Sequence, residues 1–187
     1  MGILEILIIA IGLSMDAFAV SICKGLSVRR VRPQNAVSAA LWFGGFQALM
    51  PVLGFYLGVS FADIVSSVDH WIAFILLGII GGHMLKESFE KDEECKVDPD
   101  FSFKTMLAMA VATSIDALAV GVSFAFLKVN IWIAVLLIGL TTGALSAAGI
   151  YLGNIFGSRY KSKAEFAGGF ILIVMGLKIL LEHTLLS

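Results

Sequence analysis

Long apolar runs, separated by short polar stretches, dominate the chain. A transmembrane strand would alternate apolar and polar positions over about ten residues. These runs are instead continuously apolar and rich in Gly and Ala, which predicts helices. A helix needs about 20 residues to cross a hydrocarbon core of about 30 Å. Runs of that size fall near 3–23, 36–59, 69–89, 105–127, 130–153 and 165–186. The pattern therefore predicts an all-α membrane protein with six transmembrane helices.

The spans consume most of the chain, and every connection is short except 90–104. No space remains for a soluble catalytic or receptor domain, so function is expected inside the membrane. The first run lacks the basic n-region and the clear cleavage site of a signal peptide, and is expected to be a retained helix.

The polar positions set an orientation. Lys24, Arg29, Arg30 and Arg32 follow the first span, and Lys86, Lys91, Lys96 and Lys104 bracket the third connection. Arg159, Lys161 and Lys163 occupy the fifth, which brings these connections to eleven of the thirteen basic residues. The second connection has no Lys or Arg, and the fourth has only Lys128. Odd-numbered connections are thus expected in the cytoplasm and both termini outside.

The chain also repeats itself. A shift of 100 residues lays Ser14, Asp16, Ala17, Ala19 and Val20 on Ser114, Asp116, Ala117, Ala119 and Val120. A shift of 95 lays Gly44, Gly54 and Gly58 on Gly139, Gly149 and Gly153, and Gly81 and Glu87 on Gly176 and Glu182. With three spans per half, the second half must enter the membrane from the opposite side. The expected architecture is two inverted three-helix repeats, 1–90 and 105–187, joined by a cytoplasmic acidic connector at 91–104.

The repeated phrases "LSMDAFAVSI" and "TSIDALAVGV" each carry one carboxylate inside an apolar run. Asp16 lies about 13 residues into its span and Asp116 about 12 into its own, so both are expected near the bilayer midplane. An ionisable residue at that depth costs at least about 2.5 kcal/mol and normally faces a partner or a cavity. Two of them, at matching depths, predict one shared site that a divalent cation or protons would neutralise.

Asp16 and Asp116 are the candidate metal ligands. Ser14, Met15, Gln47, Thr113 and Ser114 are secondary candidates, with Thr141 and Thr142 as further oxygen donors. Such oxygens suit Mg²⁺, Mn²⁺ or Ca²⁺ and disfavour Cu(I). Met15 and His83 would add softer character, although Met commonly just fills an apolar helix. His83 and Lys178 correspond under the second shift, and each stands four residues before an acid, Glu87 and Glu182. A charge pair near each helix end is the plain expectation, a gate or proton relay the sharper one.

Composition agrees with this picture: 59% of residues are hydrophobic and 14% charged, with a net charge of −1. Mean hydropathy is +0.96. Cys23 and Cys95 lack CxxC spacing and read as two free thiols in a reducing compartment. The run "KESFEKDEECKVDPD" has no EF-hand spacing and reads as a solvated connector.

"GLSMDAFAVSICKG" and "ATSIDALAVGVSFAF", set in six spans, closely resemble the MntP-type manganese efflux pumps of bacterial inner membranes, within the lysine-exporter-like superfamily. The resemblance covers essentially the whole chain. It implies export of Mn²⁺ from the cytoplasm, with the family's intramembrane acids carried by Asp16 and Asp116. No "GxxxxGK[ST]" or "DKTGT" motif occurs, so the expected energy source is an ion gradient, with protons as the exchanged ion. The same architecture could export cadmium, another divalent cation or an amino acid. A passive channel and an intramembrane aspartyl protease are the other classes, the latter without its "YD" and "GxGD" contexts. No enzymatic activity, bound cofactor or nucleic-acid partner is expected; Mn²⁺, protons and the lipid bilayer are, with the oligomeric state left open.

Overall fold

The computed structural model describes residues 2–28, 30–65, 69–89, 100–156 and 160–185, with the side chains of 61–65, 69–70 and 182–185 not described. Among the described residues the chain forms α-helices and no strand. They are α1 (Ile3–Ser27), α2 (Pro33–Val65), α3 (Asp69–Phe89), α4 (Phe103–Ala112), α5 (Ile115–Phe126), α6 (Ile131–Phe156) and α7 (Lys161–Leu185).

Five helices are long and apolar enough to cross a membrane, and α4 with α5, bent by 44°, passes the same test only as a pair, a broken span or a re-entrant loop. The expected straight fourth span, 105–127, is therefore broken at Thr113–Ser114. No Pro or Gly lies at this break. Instead the Thr113 and Ser114 hydroxyls donate to the carbonyls of Met109 and Ala110, giving the backbone an alternative to the helical ladder.

α1 packs on α6 and α7, α2 on α5 and α6, and α3 on α7 and α5. Ile6, Ile9, Leu13 and Ile22 of α1 are buried, whereas Leu41, Leu53 and Leu57 of α2 and Leu136 and Leu140 of α6 face outward. That distribution suits a lipid solvent, where outward leucines cost nothing and close packing holds helices together. Small residues provide it: no Cβ fits at Gly54 against the Leu118 carbonyl, or at Gly153 against that of Ile22.

The acidic connector lies outside the described residues up to position 99. Where the chain re-enters, the Asp100 carboxylate accepts the Ser102 N–H at 3.0 Å and caps the start of α4. Hydrogen bonding from Ser102 holds the Asp100 carboxyl below the usual carboxylate range. Lys24, expected after the first span in a cytoplasmic connection, instead belongs to α1 and is fully buried. It donates to the Asp100 carbonyl and lies 4.7 Å from the Phe101 ring centroid. Its neighbour Cys23 is disulfide-bonded, which corrects the free-thiol expectation for that residue. Sequence spacing does not show that the returning chain passes beside the end of α1. Cys95 lies outside the described residues.

Candidate functional site

The site is assembled from three spans. Asp16 sits in the middle of α1, which runs through it as one unbroken helix of 25 residues. Asp116 sits in the first turn of α5, immediately after the break. Its Oδ1 accepts the Ala117 N–H at 2.7 Å. The Asp116 carboxylate lies near that of Asp16 and near Gln47 of α2.

Gln47 is fully buried, and its Nε2 donates to the Leu13 carbonyl of α1 at 3.1 Å. One Nε2 hydrogen is thereby committed, the second remains for the Asp116 side, and the amide oxygen is left over. Asp16 Oδ1, Gln47 Oε1 and Asp116 Oδ2 are all buried without a hydrogen-bond donor. Pro51, inside α2, has no N–H to offer the main-chain carbonyl of Gln47 one turn earlier.

Two hydroxyls are oriented the same way. Ser14 donates to the Ala10 carbonyl and lies 2.8 Å from Thr142 Oγ1 of α6, so Thr142 donates to Ser14. Both protons are spent, and what remains are lone pairs. At the break, no described hydrogen bond reaches the carbonyls of Ala112 and Thr113. Apart from one Gln47 N–H, the centre offers acceptors, which suits a desolvated cation.

The structure thus brings Asp16, Asp116 and Gln47 together and sets Ser14 beside Thr142. The Thr113 and Ser114 hydroxyls bond back to α4. Met15 is buried, with its Cβ against Gly168 of α7, a packing contact. Among the described residues no group of three or more His, Cys, Asp or Glu could hold a metal, so neutral oxygens must complete any coordination shell.

His83 pairs with Glu87 at 3.5 Å, as its spacing suggests. Lys178 donates to Glu5 of α1, a partner 173 residues away that no local pattern reveals. The side chain of Glu182 lies outside the described residues. Sequence reasoning also missed Ser146, one turn beyond Thr142, whose buried hydroxyl has no partner. The available signal was the buried face Thr142, Ser146, Gly149 and Gly153 of α6. It likewise missed Glu165, which is buried on α7 and pairs with Lys161 at 4.0 Å.

Fold and site together define a helical, multi-pass membrane protein with two carboxylates, Asp16 and Asp116, each carrying a buried oxygen among its helices. The chain belongs to the MntP family, whose model, described as "Putative manganese efflux pump", matches residues 30–180. It is similar to proteins of that name from Bifidobacterium adolescentis, 56% identical over 97% of both chains, and Desulfitobacterium hafniense, 57% identical over 98% of this chain and 96% of the relative. A third, from Acetivibrio thermocellus, is 57% identical over 98% of this chain and 92% of its own. No solved structure matches.

Proposed function

We propose that the chain exports Mn²⁺ from the cytoplasm across the bacterial inner membrane as a secondary transporter, exchanging it for protons by alternating access. The observation that carries this reading is the trio of buried oxygens without donors: Asp16 Oδ1, Gln47 Oε1 and Asp116 Oδ2. Leaving such atoms unsatisfied costs roughly 1–3 kcal/mol each, more when charged, and a bound cation would recover that cost. Two carboxylates cancel the charge of one divalent ion, so the loaded site is neutral at midplane. Two protons achieve the same neutrality, which favours proton exchange over net charge movement. The relatives' name supplies manganese as cargo and efflux as direction.

Alternating access rests on inverted repeats, and equivalent contacts support them. Gly54 approaches the Leu118 carbonyl, and the shifted pair, Gly149 and the Phe18 carbonyl, also meet. Gly58 faces the Val122 carbonyl as Gly153 faces that of Ile22, and Gly81 faces Gly169 as Gly176 faces Phe74. Gly44 and Gly139, each other's counterpart, touch at the centre. In this reading 1–90 and 105–187 are the moving halves and 91–104 a connector. Odd connections and the acids Glu87 and Glu165 face the cytoplasm, and both termini lie outside.

The test is Mn²⁺ uptake into inverted membrane vesicles under an imposed pH gradient. We expect uptake against a concentration gradient, loss on collapsing the pH gradient, and loss in Asp16→Asn and Asp116→Asn variants that still insert. Parallel arms with Cd²⁺, Mg²⁺ and lysine read the cargo. Normal Mn²⁺ uptake by both variants would falsify the site; lysine or Cd²⁺ moving in place of Mn²⁺ would reassign the cargo.

A further inference from the structure

Between α1 and α2 the chain folds around a cavity of about 670 Å³, lined by Val28, Arg30, Val31, Arg32, Asn35 and Phe101. It lies at the membrane end of both helices, remote from the midplane carboxylates. Neither Arg30 nor Arg32 has an ion-pair partner among the described residues. Two unpaired guanidiniums beside one cavity present forked donors whose geometry matches phosphate oxygens. The acid next to Phe101, Asp100, accepts from the Ser102 N–H and the Thr105 hydroxyl.

We propose that this cavity is a phosphate-group site that holds the headgroup of an anionic phospholipid. A lipid is favoured over free phosphate by what continues from the cavity. Pro33, on its rim, shares one face of α2 with Val37 and Leu41, each one turn further along. Val37 is 57% and Leu41 71% exposed, and Phe103 at the start of α4 is 69% exposed. Phe103 packs edge-on against Trp42 of α2 at 5.1 Å, joining the two helices into one outward apolar surface. A phosphodiester in the cavity would lay its acyl chains along this strip, satisfying both ends of an amphipathic ligand at once. Free phosphate would use only the guanidiniums.

The test is lipid retention by the purified full chain, measured by native mass spectrometry and by thermal stabilisation, with phosphatidylglycerol, phosphatidylcholine and inorganic phosphate as probes. Phosphatidylglycerol is expected to bind and raise Tm, and the double substitution Arg30→Gln with Arg32→Gln to weaken retention by about tenfold. A second variant, Lys161→Gln with Lys163→Gln, removes the same charge elsewhere and is expected to retain the lipid. Arg30, Arg32 and Lys163 are exposed and Lys161 is half-buried beside Glu165, and size-exclusion profiles confirm that each variant folds. Equal retention by the arginine variant overturns the site, and equal loss in the lysine variant reduces it to bulk charge. Phosphatidylcholine binding as well as phosphatidylglycerol, or phosphate alone giving the full stabilisation, overturns the assignment to an anionic lipid.

Discussion

Gln47 Nε2 donates to the carbonyl of Leu13 at 3.1 Å, so an amide on α2 grips α1 three residues before Asp16. That bond uses one of the two Nε2 hydrogens and leaves Oε1 without a donor, so the amide keeps one N–H and its oxygen for the space beside the carboxylates.

Replacing Gln47→Leu keeps the volume and removes the oxygen. Mn²⁺ affinity is expected to fall by about tenfold or more, the scale of one hydrogen-bonding group to a charge. Calorimetric titration of the purified variant measures it. An unchanged Kd would make Gln47 a strut between helices rather than a ligand.

Glycine substitutions separate contact from composition. Gly54→Ala drives a methyl into the Leu118 carbonyl, a backbone atom that cannot rotate away, whereas Gly45→Ala meets nothing within 4 Å. The first is expected to cost about 1–3 kcal/mol or to prevent assembly, and the second about 0.5 kcal/mol or less. Thermal denaturation in lipid nanodiscs compares them directly.

Thr142→Val removes the donor to Ser14 while keeping the shape. Hydrogen bonds between membrane helices are worth about 0.6 kcal/mol, so a small drop in Tm is expected. A large rise in transport KM at unchanged Tm would instead place the Thr142 oxygen against the ion.

The Lys178 and Glu5 pair joins α7 to the first turns of α1. Its lysine side chain is 43% exposed, so a double-mutant cycle with Glu5→Gln and Lys178→Gln should return a coupling of about 0.2–1 kcal/mol. Reversal with Glu5→Lys and Lys178→Glu is expected to recover it; a coupling of several kcal/mol would mean that the pair is shielded from solvent.

The spans were legible because lipid demands continuous apolar length, and that requirement is written locally. Asp16 and Asp116 were legible for the same reason, since a carboxylate in such a run stands out. What could not be read is relational. Nothing in "ATSID" announces a break, because the competing bonds come from Thr113 and Ser114 hydroxyls that would equally suit a straight helix. Lys24 looks like any loop lysine until the connector returns over it. Lys178 meets Glu5, at the far end of the chain, which no local spacing announces.

The break before Asp116 carries a mechanical asymmetry. α1 passes Asp16 as a single rod, while the span holding Asp116 is jointed, with a 44° elbow at Thr113–Ser114. If two related halves trade places, the elbow must travel with them, and its counterpart falls at Leu13–Ser14. Those are the residues held by Gln47 and Thr142. The two cross-helix bonds beside Asp16 would then act as a splint on the straight arm, and releasing them would let the other arm straighten.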